Sequence, residues 1–537
     1  MDRRTFVQAS LLASGTAFAR PQSETASPVP VKPFELDEVT VTDLQAGMKS
    51  GKYTARSITE KYLGRIHEID KRGPAINAVI ELNPDALAIA DALDKEMRDK
   101  GLRGPLHGIP VLIKDNIDTA DRMMTTAGSL ALSGSIAPRD SFVAQRLRAA
   151  GAVILGKTNL SEWANFRSSH SSSGWSGRGG QTRNPYALDR NPCGSSSGSG
   201  AAAAANLCAL AVGTETDGSV TCPSSINGLV GIKPTLGLVS RSGIIPIAHS
   251  QDTAGPMTRN VTDAVTLLGA LTGIDANDAI TNESRGKAQS DYTKFLDPNG
   301  LRGARIGVAR KFFGFSDRVD ALMAAALDAM KHLGAEIIDP ADLPSMGKYG
   351  DSELQVMLYE FKADLNAYLE RLGPKAPVHT LKDIIDFNDR NADKEMPYFG
   401  QDMLIKAQEK GPLTSPAYLQ ALKKDHALSR KQGIDAVMAK HKLDALVAPT
   451  APPAWPIDLV NGDPSGGGGF TGPAAVAGYP HITVPAGHVF GLPVGISFVG
   501  KAYSEPVLIR LAFAYEQATK FRKPPRFLPT VDLSARL

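Results

Sequence analysis

Two residue types stand where chemistry can be done without histidine: a lysine closing an apolar run, and serines in two glycine-rich clusters. Lys114 ends GIPVLIK, Ser195 lies in the knot CGSSSGSG, and Ser219 ends GTETDGS. A serine hydroxyl is a weak nucleophile at neutral pH and needs a base beside it. Lysine becomes such a base when burial disfavours its charged form and lowers its pKa. Lys114 directly follows Val111-Leu112-Ile113, at a strand end where α/β proteins build their sites. Taken alone, it reads more readily as a lysine whose head reaches solvent beside Asp115.

Other chemistries fit less well. A phosphate-binding loop needs GxxxxGK[ST], and residues 213–219 place Ser219 where the lysine belongs. A zincin needs HExxH, but His67-Glu68 is followed by Lys71. Gly194-Ser195-Ser196-Ser197-Gly198 can be read as a GxSxG nucleophile elbow, which the residue types leave open, although no downstream histidine stands out as its partner. The Gly/Ser clusters suit a backbone that closes on a reacting carbonyl, because small residues permit close approach and positive φ. Thr216-Asp217-Gly218-Ser219 then offers backbone N–H groups as an oxyanion cradle. A Gly/Ser cluster is more often a linker or turn. Here, however, the two clusters bracket an alanine-rich helix and the apolar run Leu207–Val212, both of which need burial.

The elements that would hold these residues follow from pattern. Residues 42–100 read as helices; Ile89, Leu93 and Met97 recur at helical spacing before Gly101. Residues 141–150 are helical. Short apolar runs at 108–113, 151–155, 304–308, 445–448, 482–484 and 494–499 read as strands. Strands alternating with helices predict an α/β fold with a mixed, mostly parallel central sheet. Residues 319–442 read as a helix-rich lobe covering that sheet, and GDPSGGGGFTGP at 462–473 as a mobile loop.

A chain of 537 residues can bury a large core without staples. With 59 basic and 56 acidic residues it has no charge excess that would imply nucleic acid or an anionic membrane as partner. Cys193, Cys208 and Cys222 show no CxxC or metal-ligand spacing, so they are expected as unpaired fillers. MDRRTFVQASLLASGTAFAR has an arginine pair, a modest apolar run and an Ala17-Phe18-Ala19 cleavage site. This resembles a twin-arginine export signal over residues 1–19, with a Pro/Ser-rich tether at 20–37, and predicts a periplasmic or secreted protein. The apolar run is too short for a membrane span.

GIPVLIKDNIDT, PCGSSSGSGAAAAAN, GTETDGSVTCPSSINGLVGIKPTLGLVS and AGYPHITVPAG, taken in order, resemble the motifs of the amidase signature family. The resemblance covers about residue 40 to the C-terminus and implies one large α/β domain over 38–537. It implies a Ser–cis-Ser–Lys triad: Lys114 as general base, Ser195 as the bridging serine after a cis Gly194–Ser195 peptide, and Ser219 as nucleophile. The two serines are 24 residues apart, as in the family. The oxyanion would rest on the backbone of Thr216, Asp217, Gly218 and Ser219, with Ser196 and Ser197 outside the relay. No metal or organic cofactor is implied. FRSSHSSSGWSGRGGQTRNPY and TETDGS are similar in wording to bacterial peptide amidases, which release ammonia from C-terminal peptide amides. Ser168-Ser169-His170 precede the SGWS motif as a local departure. The partner implied is an amide substrate, small or peptidic, and no feature specifies an oligomeric state. Amidases of aryl, fatty-acyl or aliphatic amides share the chemistry. So does an amidotransferase subunit, though its cytoplasmic partners sit badly with an export signal. A catalytically dead binding protein would not keep all three triad residues.

Overall fold

Apolar runs set between helices become the strands of one sheet in the computed structural model, which describes residues 27–464 and 469–535. In chain order the strands are β1 (Val79–Leu82), β2 (Pro110–Lys114), β3 (Val153–Thr158), β4 (Trp175–Ser176), β5 (Gly180–Gln181), β6 (Leu210–Glu215) and β7 (Val230–Lys233). They continue as β8 (Thr253–Thr258), β9 (Arg305–Val308), β10 (Glu336–Ile338), β11 (Ala445–Pro449), β12 (His481–Val489) and β13 (Leu492–Val499). β4 and β5 form a separate ribbon; the others make an eleven-stranded sheet ordered β1-β3-β2-β6-β8-β7-β12-β13-β11-β9-β10.

The sheet is mixed, with parallel pairing in two flanking groups rather than throughout. β3-β2-β6 and β11-β9-β10 pair in parallel, while the stretch from β6 to β11 is antiparallel. Every residue of β2, β3 and β6 is buried, which explains their continuous apolar wording, since parallel strands are covered on both faces. Strands β1, β7, β8 and β10 were not among the expected runs. β1 lies inside the stretch read as helical, and β8 (TAGPMT) carries glycine and proline where apolar alternation would have marked it.

The glycine-rich stretch is not a linker. SGSGAAAA at 197–204 is a helix with all eight residues buried. A Cβ on Gly198 would fall 2.2 Å from Ala78 O, so the helix rests against backbone where only glycine fits. The lobe expected at 319–442 is helix-rich but begins later, since β10 belongs to the central sheet; its long helix is Gly350–Leu372, with further helices at Leu381–Arg390, Asp402–Gln408 and Pro416–His426. Its apolar residues Leu358, Phe361 and Leu365 share a cluster with Leu132, Trp163 and Ile245 of the body, so the lobe packs on the sheet domain.

The expected tether packs where it is described: Val29 N donates to Phe527 O, and Leu36 is fully buried. The export signal expected at 1–19 lies outside the described residues, as do Ser465 to Gly468 of the glycine loop. That loop is anchored on both sides. Asp463 accepts from Ser173 N, Asn191 Nδ2 and Trp455 Nε1, and Phe470 is buried before the helix Gly472–Ala477. Among the described residues no helix is long and apolar enough to cross a membrane.

Candidate active site

Parallel pairing of β2 with β6 brings the C-terminal ends of both strands together. β2 ends at Lys114, and β6 runs into the turn that carries Ser219. The helix Ser197–Ala204 packs across β2 and β6 with Ser195 just before its first turn. Three distant segments thus meet at one strand edge, and the peptide Gly194–Ser195 is cis.

Lys114 is fully buried. Its Nζ lies 2.8 Å from Ser195 Oγ, 2.8 Å from Thr214 Oγ1 and 3.3 Å from Thr214 O. Burial pulls its pKa from 10.5 down to about 7, and the charges of Asp252 and Glu215 oppose that fall only in part. Ser195 is also fully buried, whereas Ser219 keeps 8% of its surface exposed. Among the described residues no hydrogen bond joins Ser195 Oγ to Ser219 Oγ. The two segments are instead linked through Ser196 N, which donates to Ser219 O at 3.2 Å.

The turn before Ser219 is built to leave donors free. Glu215 accepts from the next two amides, Val220 N at 2.8 Å and Thr221 N at 2.9 Å, and from Thr221 Oγ1. The N–H groups of Asp217, Gly218 and Ser219 donate to nothing among the described residues. Gly218 has φ +76°, where glycine is favoured, and a Cβ there would press on Thr471 Oγ1 at 3.2 Å. The Thr216 N–H likewise donates to nothing among the described residues, while its other polar groups are held. Its Oγ1 donates to Asp252 Oδ1 at 2.6 Å, and its carbonyl accepts from Gln251 Nε2. Successive unbonded N–H groups of this kind make an anion-binding concavity.

The serines set outside the relay have structural partners. Ser196 Oγ donates to Thr214 O, and Ser197 Oγ donates to Cys193 O at 2.6 Å. Three residues outside the motif-assigned triad touch the site. Thr214 holds the lysine amine, Asn116 donates from Nδ2 to Thr214 Oγ1 at 3.0 Å, and Glu215 shapes the turn. A polar strand end in GTETDGS was the available signal for two of them. Ser168 and Ser169 do not enter the pocket. Both hydroxyls donate to Asp402 at 2.9 Å and hold the lobe, and His170 is exposed.

One expectation is overturned. Cys193 and Cys222 form a disulfide with Cα atoms 6.2 Å apart, leaving only Cys208 free and buried. The bond ties the segment before Ser195 to the helix after Ser219. Residues 29 apart with no local pattern meet because the segment before one helix lies against the next helix, which sequence spacing does not report.

Two cavities flank the 214–222 turn. One, of about 190 Å³, is lined by Asn116, Thr214, Thr216, Asp252 and His249. The other, of about 690 Å³, is lined by Cys222, Thr471 and a set of aromatic side chains.

A family model described as Amidase matches residues 57–509. The native peptide amidase from Stenotrophomonas maltophilia has a structure similar to this one: 52% identity, 92% of this chain and 100% of that chain covered, TM-score 0.88. A "Probable amidase" of Arabidopsis thaliana is 42% identical over 504 residues, covering 92% of this chain and 93% of its own. A glutamyl-tRNA(Gln) amidotransferase component of Caldanaerobacter subterraneus subsp. tengcongensis is 36% identical, with 92% and 99% covered.

Proposed function

The chain belongs to the amidase family and is a hydrolase of amides; from that premise we propose that it works through Lys114, Ser195 and Ser219 and that its substrates are C-terminal peptide amides. The observation that carries the mechanism is the buried amine of Lys114. Its Nζ donates to Ser195 Oγ, Thr214 Oγ1 and Thr214 O; once the amine loses a proton, the two Thr214 oxygens keep its remaining N–H groups and the lone pair faces the Ser195 hydroxyl.

Ser219 Oγ attacks the amide carbonyl while Ser195 Oγ takes its proton and passes its own to Lys114 Nζ. The carbonyl oxygen, now an anion, settles on the free N–H groups of residues 216–219. Lys114 returns the proton through Ser195 to the departing nitrogen, the C–N bond breaks, and an ester to Ser219 remains. Water then cleaves that ester by the same relay. Catalytic hydrogen bonds often tighten only once substrate is bound, and the link from Ser195 to Ser219 is the one that must close.

The substrate reading rests on the likeness to the peptide amidase, which spans all of that chain. The cavities support it, since a large cleft beside a small cavity suits a bulky acyl part and a leaving group as small as ammonia. An ammonia-release screen over peptide, aryl and fatty-acyl amides tests it. Peptide amides are expected to give the highest kcat/KM; preference for another class overturns the substrate reading and leaves the triad standing.

Residues 1–19 are read as an export signal, which makes this an enzyme of the periplasm or exterior. The Cys193–Cys222 disulfide supports that reading, because such bonds persist in oxidising compartments. Fusing the first forty or so residues to a reporter tests it: export is expected, and retention in the cytoplasm refutes the signal.

A further inference from the structure

β9 is buried, yet the chain leaving it reads Lys311-Phe312-Phe313-Gly314-Phe315, with all three phenylalanines only half-buried. Three large aromatic rings open to solvent in four positions are unusual on a turn without a partner to cover them. They line the cleft of about 690 Å³ together with Met346, Pro452 and Trp455. The walls are held in place. Phe312 packs on buried Phe470 with ring centroids 4.7 Å apart, and Trp455 Nε1 donates to Asp463 at 3.0 Å.

This cleft continues into the nucleophile turn. Its floor includes Cys222, whose N–H donates to Gly218 O at 2.7 Å, and Thr471, which packs against Gly218. Among its lining residues Lys311 is the single charged side chain, and no carboxylate is present. Arg310 already lies over the Phe313 ring at 4.6 Å, so one of the aromatic faces is taken by a cation of the protein itself. A substrate cation placed here meets like charge and no counter-ion, whereas an uncharged apolar group covers exposed rings.

We propose that the cleft formed by Phe312, Phe313, Phe315, Met346 and Trp455 is the subsite for the side chain on the acyl carbon next to the scissile carbonyl, and that it selects aromatic or large aliphatic groups. The inference rests on the amidase assignment and narrows the peptide-amide reading: the residue bearing the C-terminal carboxamide would be Phe-like or Leu-like rather than Gly or Lys.

The test compares kcat/KM for N-acetyl-Phe-NH2 with N-acetyl-Gly-NH2, and phenylacetamide with acetamide. The Phe amide is expected to be cleaved about 30-fold better than the Gly amide, the scale of burying one aromatic side chain. Phe313→Ala should cut that ratio about tenfold, since truncating an aromatic anchor removes most of the gain. Lys311→Glu, a change on the exposed rim, should move the ratio of N-acetyl-Glu-NH2 to N-acetyl-Lys-NH2 about threefold toward lysine, as expected of a solvent-exposed charge. Thermal unfolding checks that each variant is folded; if Phe313→Ala is not, the Lys311→Glu shift decides. Cleavage of phenylacetamide far above acetamide without cleavage of peptide amides would keep the cleft and discard the peptide reading. Ratios near one in both series, or ratios unmoved by both substitutions, overturn the cleft assignment.

Discussion

Lys114 and Lys157 sit on neighbouring parallel strands, with Ile113 opposite Lys157 and Lys114 opposite Thr158, and both are fully buried. Burial pulls both pKa values down. Their surroundings then part them. Lys157 Nζ donates to Ile117 O at 2.6 Å and Thr125 Oγ1 at 2.9 Å, within the field of Asp115, Asp118, Asp121 and Glu81. Lys114 faces hydroxyls and one carbonyl, and only Asp252 and Glu215 act on it from beyond its contacts. The charges of four carboxylates oppose the fall at Lys157, whereas only two oppose it at Lys114, which is left near neutrality with a serine hydroxyl against it. Burial alone therefore does not make a base. The identity of the neighbours does.

The most severe way to break this contrast is to remove either end of the relay. Ser219→Ala and Lys114→Ala should each lower kcat/KM for an amide by about 10⁴-fold or more while the protein stays folded, as when one member of a catalytic unit is lost. Substantial remaining activity in either variant would assign the chemistry elsewhere. Lys157→Met should do the opposite. It leaves the buried Ile117 carbonyl and Thr125 hydroxyl without their donor, a loss of about 1–3 kcal/mol in urea unfolding. The folded variant should keep the pH profile of the parent; disappearance of that profile would reverse the two roles.

The mildest test sharpens the comparison at the lysine itself. Thr214→Val keeps shape but removes the Oγ1 acceptor, and should cost about tenfold in kcat/KM, the scale of one hydrogen bond to a charged group. That acceptor stabilises the ammonium, so its loss moves the acid limb of the profile to lower pH. Thr214→Ser should restore both. A purely packing role for Thr214 would lower the rate and leave the limb in place.

Much of this contrast was legible in sequence on one side only. Lys114 was marked by the apolar run it closes, and the nest at 217–219 by glycine and small residues that a linker would not fuse to apolar strands. Ser195 was set apart from Ser196 and Ser197 by motif resemblance, since by residue type the three are equivalent. Thr214 was marked only by the polar end of its strand, and Asn116 and the carboxylates around Lys157 gave no such signal, because their roles arise from contacts between strands. The same holds for the disulfide, whose halves meet only when two helices and the segments before them pack together. It holds too for Ser168 and Ser169, whose partner Asp402 lies in the lobe more than two hundred positions away. The sheet's antiparallel centre was hidden for a further reason: β8 is short and contains Gly255 and Pro256, so its burial is set by neighbours and not by its own pattern.

The central claim is that a neutral, buried Lys114 is the base, and the pH dependence of kcat/KM for a primary amide tests it most directly. With a pKa of about 7, the amine is protonated and idle below that pH and free above it. The rate should rise about tenfold per pH unit on the acid side, bend near neutrality and stay level up to roughly pH 9. A bend at carboxylate pH, or no bend at all across that range, would contradict it.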